Sequence, residues 1–252
     1  ASNTADHLGH LQLAMNNAIP ALIEKPLAPG YNSFKSGITI QNDSLEISSD
    51  YRVGYLMRYH PLVVKTKERI AELGTINYVK LEFGQYLPMW RPDRNYMETY
   101  SANREQGGGV LLDSSHEIDL VQNLFGDVKE IQAQVRNSGQ LQIDSEDIII
   151  AIMCLENNIL VNLSLDYLSQ IPERRMRIEG ENGTIVVDFI NNTYSEIIKE
   201  KEIVEQLTIN RNDIFKEELF DFVENRSACL LPDLNESLHI LKIFDAVWTS
   251  SK

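Results

Sequence analysis

The segment after Gly74 most constrains the fold, because β-rich stretches follow one another there with short turn sequences between them. The turns Glu156-Asn157-Asn158 and Gly180-Glu181-Asn182-Gly183 contain residues that favour tight connections between strands. The pattern therefore predicts a large, mostly antiparallel sheet. Its predicted strands span residues 76–83, 128–136, 147–155, 159–167, 175–179 and 184–188, and helices are predicted after them at 213–225 and 233–250.

The N-terminal part has a different pattern, in which helices alternate with short apolar strands. A helix capped by Thr4 or Asp6 is predicted to run to Asn17, and a buried strand at 20–23 ends before Pro26, which lacks a backbone donor. A second strand is predicted at 51–57, and a helix at 61–73 follows it. Residues 29–50 fit only a weak helix or an irregular crossover. A helix followed by a buried strand predicts a parallel α/β sheet.

Composition argues against several classes of protein. The 252 residues are 43% hydrophobic and 24% charged, which suffices for one or two globular domains. A net charge of −14 without any basic run predicts no nucleic-acid partner, and no apolar run reaches the roughly 18 residues of a membrane span, so no membrane is expected either. Cys154 and Cys229 fit neither a disulfide framework nor a metal site, and no leader precedes the first helix. We therefore expect a cytoplasmic protein.

The stretch from Gly107 to Asp119 concentrates residues that can carry chemistry. If residues 110–125 form one helix, Asp113, His116 and Asp119 lie three apart and near one face. A carboxylate there can orient the imidazole for proton transfer near neutral pH. The alternative is that Asp113 caps the helix and His116 is a hydrogen-bonded core residue. The spacing alone favours neither.

Lys25 is a second candidate, because it follows a predicted buried strand at the edge where parallel sheets bind their ligands. The alternative is a surface lysine paired with Glu24. Glycines 107–109 allow a ligand or another strand to approach closely, but this run lacks the lysine of a phosphate-binding loop.

A long loop at 84–106 joins the first predicted strand of the large sheet to the Gly107 stretch. Aromatic rings stack on sugars or bases, and arginines bind carboxylates or phosphates through paired hydrogen bonds. The loop is therefore predicted to recognise a sugar with an anionic group, although packing at a subunit interface explains the same composition. Its candidate substrate-binding residues are Trp90, Arg91, Tyr100 and Arg104.

Histidines offer a third possibility. His7 and His10 lie three residues apart on the first predicted helix and could join Asp113 and His116 in a metal site. Such a site would indicate a metal-assisted hydrolase or isomerase. Exposed helix histidines explain the same spacing, and we expect no metal.

Four motifs, taken in order, resemble those of the glucose-fructose oxidoreductase and inositol dehydrogenase (Gfo/Idh/MocA) family. They are Ala-Ser-Asn at 1–3 followed by His7, Ile-Glu-Lys-Pro-Leu-Ala at 23–28, Val-Gly-Tyr-Leu-Met-Arg-Tyr-His-Pro at 53–61, and Gly-Gly-Gly-Val-Leu-Leu-Asp-Ser-Ser-His-Glu-Ile-Asp-Leu at 107–120. The resemblance implies an NAD- or NADP-dependent oxidoreductase that acts on a secondary alcohol of a sugar, sugar acid, cyclitol or nucleotide sugar.

The resemblance also implies an α/β fold in two parts. Residues 1–60 would be the C-terminal part of a Rossmann domain, with a partial parallel sheet. Residues 61–252 would be an α+β domain for substrate binding and oligomerisation, with a large, mostly antiparallel open sheet. The last helix is expected to pack back on the first domain, and the open sheet is expected to form homodimers or tetramers.

Residue roles follow from the same resemblance. Lys25 would be the catalytic lysine near the reacting hydroxyl, with Asp113 and His116 as its acid/base partners, and His7 would lie near the nicotinamide. The implied cofactor-binding residues are Asn3, His7, Glu24, Lys25, Pro26 and Arg58.

The sequence departs from the family pattern in two places. It lacks the opening strand and Gly-x-Gly-x-x-Gly turn that hold the dinucleotide, so we expect about two βαβ units to be missing, weak NAD(H) binding by this polypeptide alone, and no basis for choosing NAD or NADP. Many relatives have three residues between the aspartate and the histidine, whereas Asp113 and His116 have two. On a continuous helix this turns the aspartate by about 100°, which makes His116 the stronger candidate. The alternative function is a non-catalytic sugar-binding or oligomerisation protein.

Overall fold

The computed structural model describes residues 2–39 and 50–250. Its helices are α1 (Thr4–Asn16), α2 (Tyr31–Gly37), α3 (Pro61–Arg69), α4 (Val110–Asp113), α5 (Ser115–Phe125), α6 (Arg211–Glu224) and α7 (Leu234–Ser250). Within the crossover predicted at 29–50, α2 forms the first part, and residues 40–49 lie outside the described residues. In the described ranges, no helix is both long and apolar enough to cross a membrane.

A small parallel sheet forms the N-terminal part. Strand β1 (Ala21–Glu24) pairs in parallel with β2 (Tyr51–Gly54), and Ile23 lies opposite Val53. Both side chains are buried, and α1 packs against β1. The predicted parallel arrangement is therefore confirmed, and the carboxyl ends of the two strands lie side by side.

The rest of the described chain contains a large sheet together with helices α3 to α7. Its order is β10-β9-β8-β7-β3-β6-β5-β4, with β3 parallel to β6 and all other neighbours antiparallel. The mostly antiparallel sheet predicted from the sequence is thus confirmed. The strands are β3 (Ile76–Gly84), β4 (Val128–Arg136), β5 (Ile148–Leu155), β6 (Leu160–Asp166), β7 (Glu173–Gly180), β8 (Gly183–Asp188), β9 (Thr193–Ile198) and β10 (Lys201–Gln206).

The hairpin formed by β9 and β10 was not predicted from the sequence. Lys199 and Glu200 connect these strands with positive φ angles of 49° and 66°, a conformation usually signalled by glycine or asparagine. All six residues of β10 are exposed, so the strand shows no alternation of buried and exposed positions. The sequence therefore has neither a glycine or asparagine turn nor an alternating pattern from which this hairpin could be predicted.

The predicted single helix at 110–125 is interrupted. Ser114 has φ −96° and ψ 26°, which ends α4 after four residues, and α5 begins at Ser115. The rotation of about 100° expected for Asp113 assumed a continuous helix, so it does not apply. Because of this break, Asp113 and His116 belong to two different helices and do not follow one helical repeat.

The last helix connects the two sheets. α7 packs on β4 and also contacts β2 and α2. Ser250 Oγ accepts a hydrogen bond from the Ala133 amide at 2.8 Å, and Asp245 Oδ2 accepts one from the Asn32 amide at 3.0 Å. These contacts join α7 to the large sheet through β4 and to the N-terminal part through α2. The domain boundary at residue 60 stays a prediction.

Candidate active site

Lys25 is the link between the two parts of the chain. It follows β1 directly, its peptide bond to Pro26 is cis, and its side chain is half-buried. Its Nζ donates a hydrogen bond to the carbonyl oxygen of Asp113 at 2.6 Å. Burial lowers the pKa of the amine, and the carboxylates of Asp113 and Glu117 partly oppose this shift. The amine is thus held against α4 in a setting that favours release of its proton.

Asp113 ends α4 and is held through two groups. Its carbonyl accepts the Lys25 amine, and its Oδ2 accepts a hydrogen bond from the Tyr167 hydroxyl at 2.6 Å. Burial, followed by the Asp113 carboxylate, raises the pKa values of both Tyr167 and Tyr100. The carboxylate therefore faces two protonated phenols.

His116 lies near Asp113 without a hydrogen bond to it. Its Nδ1 is buried and has no hydrogen-bond partner among the described residues, and its ring meets the edge of Tyr55 at 5.7 Å between centroids. Burial, followed by the positive charges of Lys25, Arg174 and Arg211, lowers the pKa of His116 well below its usual value. This shift favours the neutral imidazole, whose Nδ1 has no protein partner among the described residues. The carboxylate–imidazole pair and the helix-cap role considered for Asp113 both differ from what the structure shows.

Arg174 and Glu117 belong to this cluster and were missed from the sequence. Arg174 Nε donates to Glu117 Oε1 at 2.7 Å, and the guanidinium lies 5.6 Å from the Phe83 ring centroid and 5.8 Å from that of Phe189. Arg174 shares one face of β7 with the buried Met176 and Ile178, as strand alternation requires. The sequence signal for this site was a charged residue, Arg174, at a strand position that shares a face with buried apolar residues.

The glycine run is a packing feature. A Cβ atom at Gly108 would lie 2.1 Å from the Tyr100 carbonyl oxygen, and one at Gly107 would lie 2.5 Å from the Thr4 Cβ. Gly107 and Gly109 also have positive φ angles of 82° and 115°, which favour glycine. The run thus lets α1, the preceding loop and α4 pack closely together.

A polar cleft of about 780 Å³ lies beside Tyr100. It brings the predicted cofactor residue Asn3 together with the predicted substrate residues Arg91 and Tyr100. Neither Arg91 nor Arg94 forms a side-chain hydrogen bond or ion pair with a described residue. The lining residues are Ser2, Asn3, Arg91, Asp93, Arg94, Asn95, Glu98, Thr99, Tyr100 and Gln106.

Trp90 and Arg104 lie outside the lining of this cleft. The Trp90 ring meets Tyr167 edge-on at 5.2 Å, and its Nε1 donates to the Gln85 carbonyl at 3.2 Å. The guanidinium of Arg104 lies 5.4 Å from the Trp248 ring centroid, on the side of α7. The structure therefore gives Trp90 a supporting position behind Tyr167 and directs Arg104 away from Arg91 and Tyr100.

The predicted cofactor residues separate into two groups. Glu24 and Asn3 are exposed, and Lys25 is half-exposed at the end of β1. His7 is buried, with Nδ1 2.7 Å from the Pro26 carbonyl oxygen and Nε2 3.3 Å from that of Ser2. The Pro26 side chain is buried as well. His7 and Pro26 thus shape the loop from within.

Arg58 fastens the two parts of the chain to each other. Its Nε and Nη2 donate to the buried Asp119 carboxylate, with the shortest distance at 2.7 Å, while Nη1 contacts the Leu230 carbonyl at 2.9 Å and Glu236 at 3.4 Å. All three nitrogens of the Arg58 guanidinium therefore contact protein groups. Asp119 therefore pairs with Arg58 instead of sharing a site with His116.

The structure does not bring the histidines together as the metal hypothesis requires. Both ring nitrogens of His7 face carbonyl oxygens, and His10 Nδ1 lies 3.4 Å from Ser2 Oγ. Within residues 2–39 and 50–250, no group of three histidine, cysteine, aspartate or glutamate side chains is arranged to hold a metal ion.

Comparison with known proteins identifies the family. Residues 63–186 match the model of the GFO/IDH/MocA C-terminal domain. This stretch of the chain is a Gfo/Idh/MocA C-terminal domain. The family predicted from the four motifs is therefore confirmed, and the matched residues run from α3 into β8.

Two curated relatives of this chain have different activities. UDP-N-acetylglucosamine 3-dehydrogenase of Acidithiobacillus ferrooxidans is 27% identical over 192 residues, which cover 75% of this chain and 54% of the relative. 2,7-Anhydro-N-acetylneuraminate hydratase of Escherichia coli is 24% identical over 179 residues, which cover 69% of this chain and 46% of the relative. The chain therefore spans about half the length of these curated relatives.

Solved structures confirm the fold. Levoglucosan dehydrogenase in complex with NADH superposes with a TM-score of 0.84 at 17% identity, covering 100% of this chain and 76% of that one. A structure of the Acidithiobacillus ferrooxidans dehydrogenase gives a TM-score of 0.74 at 21% identity, covering 99% of this chain and 76% of that one. The fold of this chain, with a small parallel sheet beside a large, mostly antiparallel sheet, is thus shared with these two dehydrogenase structures over nearly all of its length.

Proposed function

We propose that the protein is an oxidoreductase that uses NAD or NADP to oxidise a secondary alcohol of a sugar, cyclitol or nucleotide sugar, or to catalyse the reverse reduction. The contact between the Lys25 amine and the Asp113 carbonyl carries the proposal, because it places an amine from the end of β1 beside the neutral imidazole of His116. Alcohol oxidation needs a group that takes the hydroxyl proton and a donor that stabilises the developing negative oxygen.

His116 and Lys25 divide these tasks in our proposal. The neutral imidazole accepts the hydroxyl proton, since its lowered pKa keeps a ring nitrogen unprotonated at neutral pH. The Lys25 Nζ donates a hydrogen bond to the alcohol oxygen as negative charge develops there. Asp113 holds the amine through its carbonyl, while its carboxylate is bound by Tyr167. We therefore assign Asp113 a positioning role in place of the predicted acid/base role.

The residues at the end of β1 fit the nicotinamide end of a dinucleotide. Asn3 and Glu24 are exposed with polar atoms that suit ribose hydroxyl and amide groups; Glu24 adjoins Lys25 at the carboxyl end of β1, and Asn3 precedes α1. When bound, the nicotinamide accepts the hydrogen of the alcohol carbon with its electron pair. His7 and Pro26 would shape the loop behind it, and we do not propose Arg58 as a ligand because its guanidinium is bound to Asp119.

We propose that the 780 Å³ cleft holds the substrate, with its reacting end toward Tyr100 and Asp113. A cleft of this size accepts a ligand as large as a sugar derivative. Arg91 and Arg94 supply two guanidiniums without hydrogen-bonded partners in the described chain, which suit a carboxylate or phosphate. The proposed substrate is therefore a sugar with an anionic group. In the proposed site, Arg94 takes the place of the predicted Arg104 as a ligand of that group, and Trp90 supports Tyr167 from behind.

We also propose that the outer face of the large sheet forms a homo-oligomer. Ile150 and Ile152 on β5 are 52% and 55% exposed, and Leu160 on β6 is 50% exposed. Exposed apolar residues grouped on one face commonly mark a contact surface. Light scattering of the purified protein should show a dimer or tetramer, and Ile150→Glu together with Ile152→Glu should shift it toward the monomer. An unchanged mass would contradict the proposed surface.

A cytoplasmic location remains part of the proposal. Cys154 and Cys229 are unpaired, as is usual for proteins kept in a reducing compartment. Cell fractionation with antibodies against the protein tests the location directly, and recovery outside the cytoplasm would overturn it.

Turnover assays on the full-length protein test the activity. NAD and NADP should each be offered with neutral sugars, aldonic acids, cyclitols and nucleotide sugars, and reduction of the nicotinamide should be followed by absorbance. Activity with at least one anionic sugar, lost in Lys25→Met, is the expected result. Sugar binding without any turnover would overturn the enzyme and support the non-catalytic sugar-binding alternative.

A further inference from the structure

A buried segment, residues 145–147, contacts the glycine run and α4. Ser145, Glu146 and Asp147 are each no more than 1% exposed. None of them was singled out from the sequence, and none belongs to the proposed reaction described above. Some of their contacts lead to Ser138, Asn137 and Arg136, and others lead to α4, Tyr167 and Ser101, near Asp113.

Glu146 contacts the beginning of α4 through two of its groups. Its backbone carbonyl accepts the Val110 amide at 3.2 Å, and its Oε1 accepts the Leu111 amide at 3.1 Å. These amides belong to the first turn of α4, where helix donors have no partner within the helix. A Cβ atom at Gly109 would lie 2.2 Å from Oε1, so the carboxyl fits only because residue 109 is glycine.

The neighbours of Glu146 hold the other partners of Asp113. The Asp147 carbonyl accepts the Tyr167 amide at 2.9 Å, and Tyr167 in turn donates its hydroxyl to Asp113. Ser145 Oγ donates to the Ser101 carbonyl at 3.0 Å, next to Tyr100. The segment thus contacts α4, Tyr167 after β6, and Ser101 in the loop at 84–106, which lie around Asp113.

We propose that Glu146 is a positioning residue for the active site, because it fixes the short helix α4 and thereby the Asp113 carbonyl that holds the Lys25 amine. The inference rests on the proposed function for its catalytic consequence. The carboxyl acts through α4 and touches neither the substrate nor the cofactor in this assignment. A four-residue helix has too few internal hydrogen bonds to keep its own orientation, so an external anchor determines where Asp113 lies.

The protonation state of Glu146 gives the proposal a second effect that can be measured. Burial raises the pKa of Glu146 to about 7; Arg104 opposes the shift, and Asp113 adds to it. Oε2 has no hydrogen bond among the described residues, and Arg104 Nη2 lies 3.8 Å from it. The charge of Glu146 also contributes to the raised pKa of Tyr167. An ionised Glu146 makes a stronger, charge-assisted hydrogen bond to the Leu111 amide than the protonated acid does.

Three variants of the full-length protein test the proposal: Glu146→Ala, Glu146→Gln and, as a control with the same charge change, Glu130→Gln on the exposed surface of β4. We expect Glu146→Ala to lower kcat about 100-fold with little change in KM, the cost of a displacement of about 1 Å in a catalytic group. The ratio of wild-type to Glu146→Gln kcat should rise as pH increases through about 7, since the glutamine cannot ionise. Glu130→Gln should match the wild type throughout.

Labelling of Lys25 supplies a measurement that does not depend on turnover. An amine-acylating reagent followed by peptide mass analysis should modify Lys25 several-fold faster in Glu146→Ala and in Glu146→Gln than in the wild type or Glu130→Gln. If both variants keep wild-type labelling and differ only in melting temperature, Glu146 is merely structural and the inference is overturned. Should the wild-type protein lack activity, the proposed function fails, while the labelling still tests whether Glu146 positions Lys25.

Discussion

The two sides of the candidate site are built differently. On the buried side, Lys25, Asp113 and Tyr167 are joined by hydrogen bonds of 2.6 Å, and Arg174 is bound to Glu117. On the exposed side, Arg91, Asp93, Arg94 and Glu98 lie on a loop of short 3-10 turns with their side chains in solvent. Tyr100 joins the two, because it lines the cleft and senses the Asp113 carboxylate.

The difference separates fixed chemistry from adaptable recognition. Lys25, Asp113 and Tyr167 on the buried side are hydrogen-bonded, which avoids the cost of about 1–3 kcal/mol for an unpaired buried group. These hydrogen bonds also fix their positions, as proton transfer demands. Side chains on the exposed side have no such constraint and can adjust to a ligand. Changes on the buried side should therefore affect rate and stability, and changes on the exposed side should affect substrate affinity.

Removal of the Lys25 amine should have the largest effect. In Lys25→Met, kcat should fall about 1000-fold, since both the donor to the alkoxide and the link to Asp113 are lost. Steady-state kinetics of the full-length protein measures this, with Lys129→Met on exposed β4 as the control. A loss below about 10-fold would mean that the buried side does not carry the chemistry.

Glu218 extends the buried side to α6, and it should make stability depend on pH. It is 5% exposed, and burial, followed by the Glu24 charge, raises its pKa from 4.5 to about 7. The folded protein therefore binds more protons than the unfolded chain between these values, so the free energy of unfolding falls as pH rises through them. Glu218→Gln should be more stable than the wild type by about 2–3 kcal/mol near pH 8 and nearly equal near pH 4.

Urea denaturation at several pH values measures the Glu218 effect. Glu217→Gln is the matched control, because it removes an exposed charge from the adjacent position of α6. Parallel stability curves for the wild type and Glu218→Gln would show that Glu218 titrates normally in the folded protein.

Tyr167→Phe should have a moderate effect on stability. The change leaves Asp113 Oδ2 without its hydroxyl donor while keeping the aromatic ring, so the free energy of unfolding should fall by about 1–3 kcal/mol. Chemical denaturation measures this against Tyr78→Phe, whose ring is 40% exposed. Equal stability of the two variants would remove Tyr167 from the hydrogen-bonded buried side.

Arg91→Met should have the smallest effect. It should raise KM for an anionic sugar about 10-fold and leave kcat within about 2-fold, because an exposed arginine contributes to binding alone. Arg136→Met, also exposed, is the control. An increase in KM for the nicotinamide cofactor instead would place Arg91 on the cofactor and break the proposed division of the site.

Sequence motifs predicted much of the buried side and less of the exposed side. Lys25, Asp113 and His116 lie together as expected, because they occur in motifs at the ends of regular elements. The break at Ser114 could not be read from a periodic apolar pattern, since the packing of α4 against Glu146 decides it. The ion pair between Arg58 and Asp119 was likewise invisible, because its partners lie 61 positions apart.

The same limits apply to the fold. Strand β5 was predicted because its sequence is a short, continuous apolar run rich in isoleucine, although its burial alternates in the structure. The β9–β10 hairpin was missed because its turn is made by Lys199 and Glu200 and its last strand is fully exposed. On the exposed side of the site, the loop residues Arg94 and Arg104 could not be ranked, because short 3-10 turns leave no periodic signal.

The position of β3 at the centre of the large sheet has a consequence for how the chain folds. β3 pairs with β6 and β7, so Tyr78 meets Leu160 and Glu179, which are far from it in sequence. The hairpins on either side can form locally and early, but the strand that unites them must close long loops. During synthesis β3 waits until β6 has emerged, and the helices that carry Asp113 and His116 lie in the loop it closes. We therefore expect the candidate site to assemble late and slowly, as the final step in joining two preformed halves of one sheet.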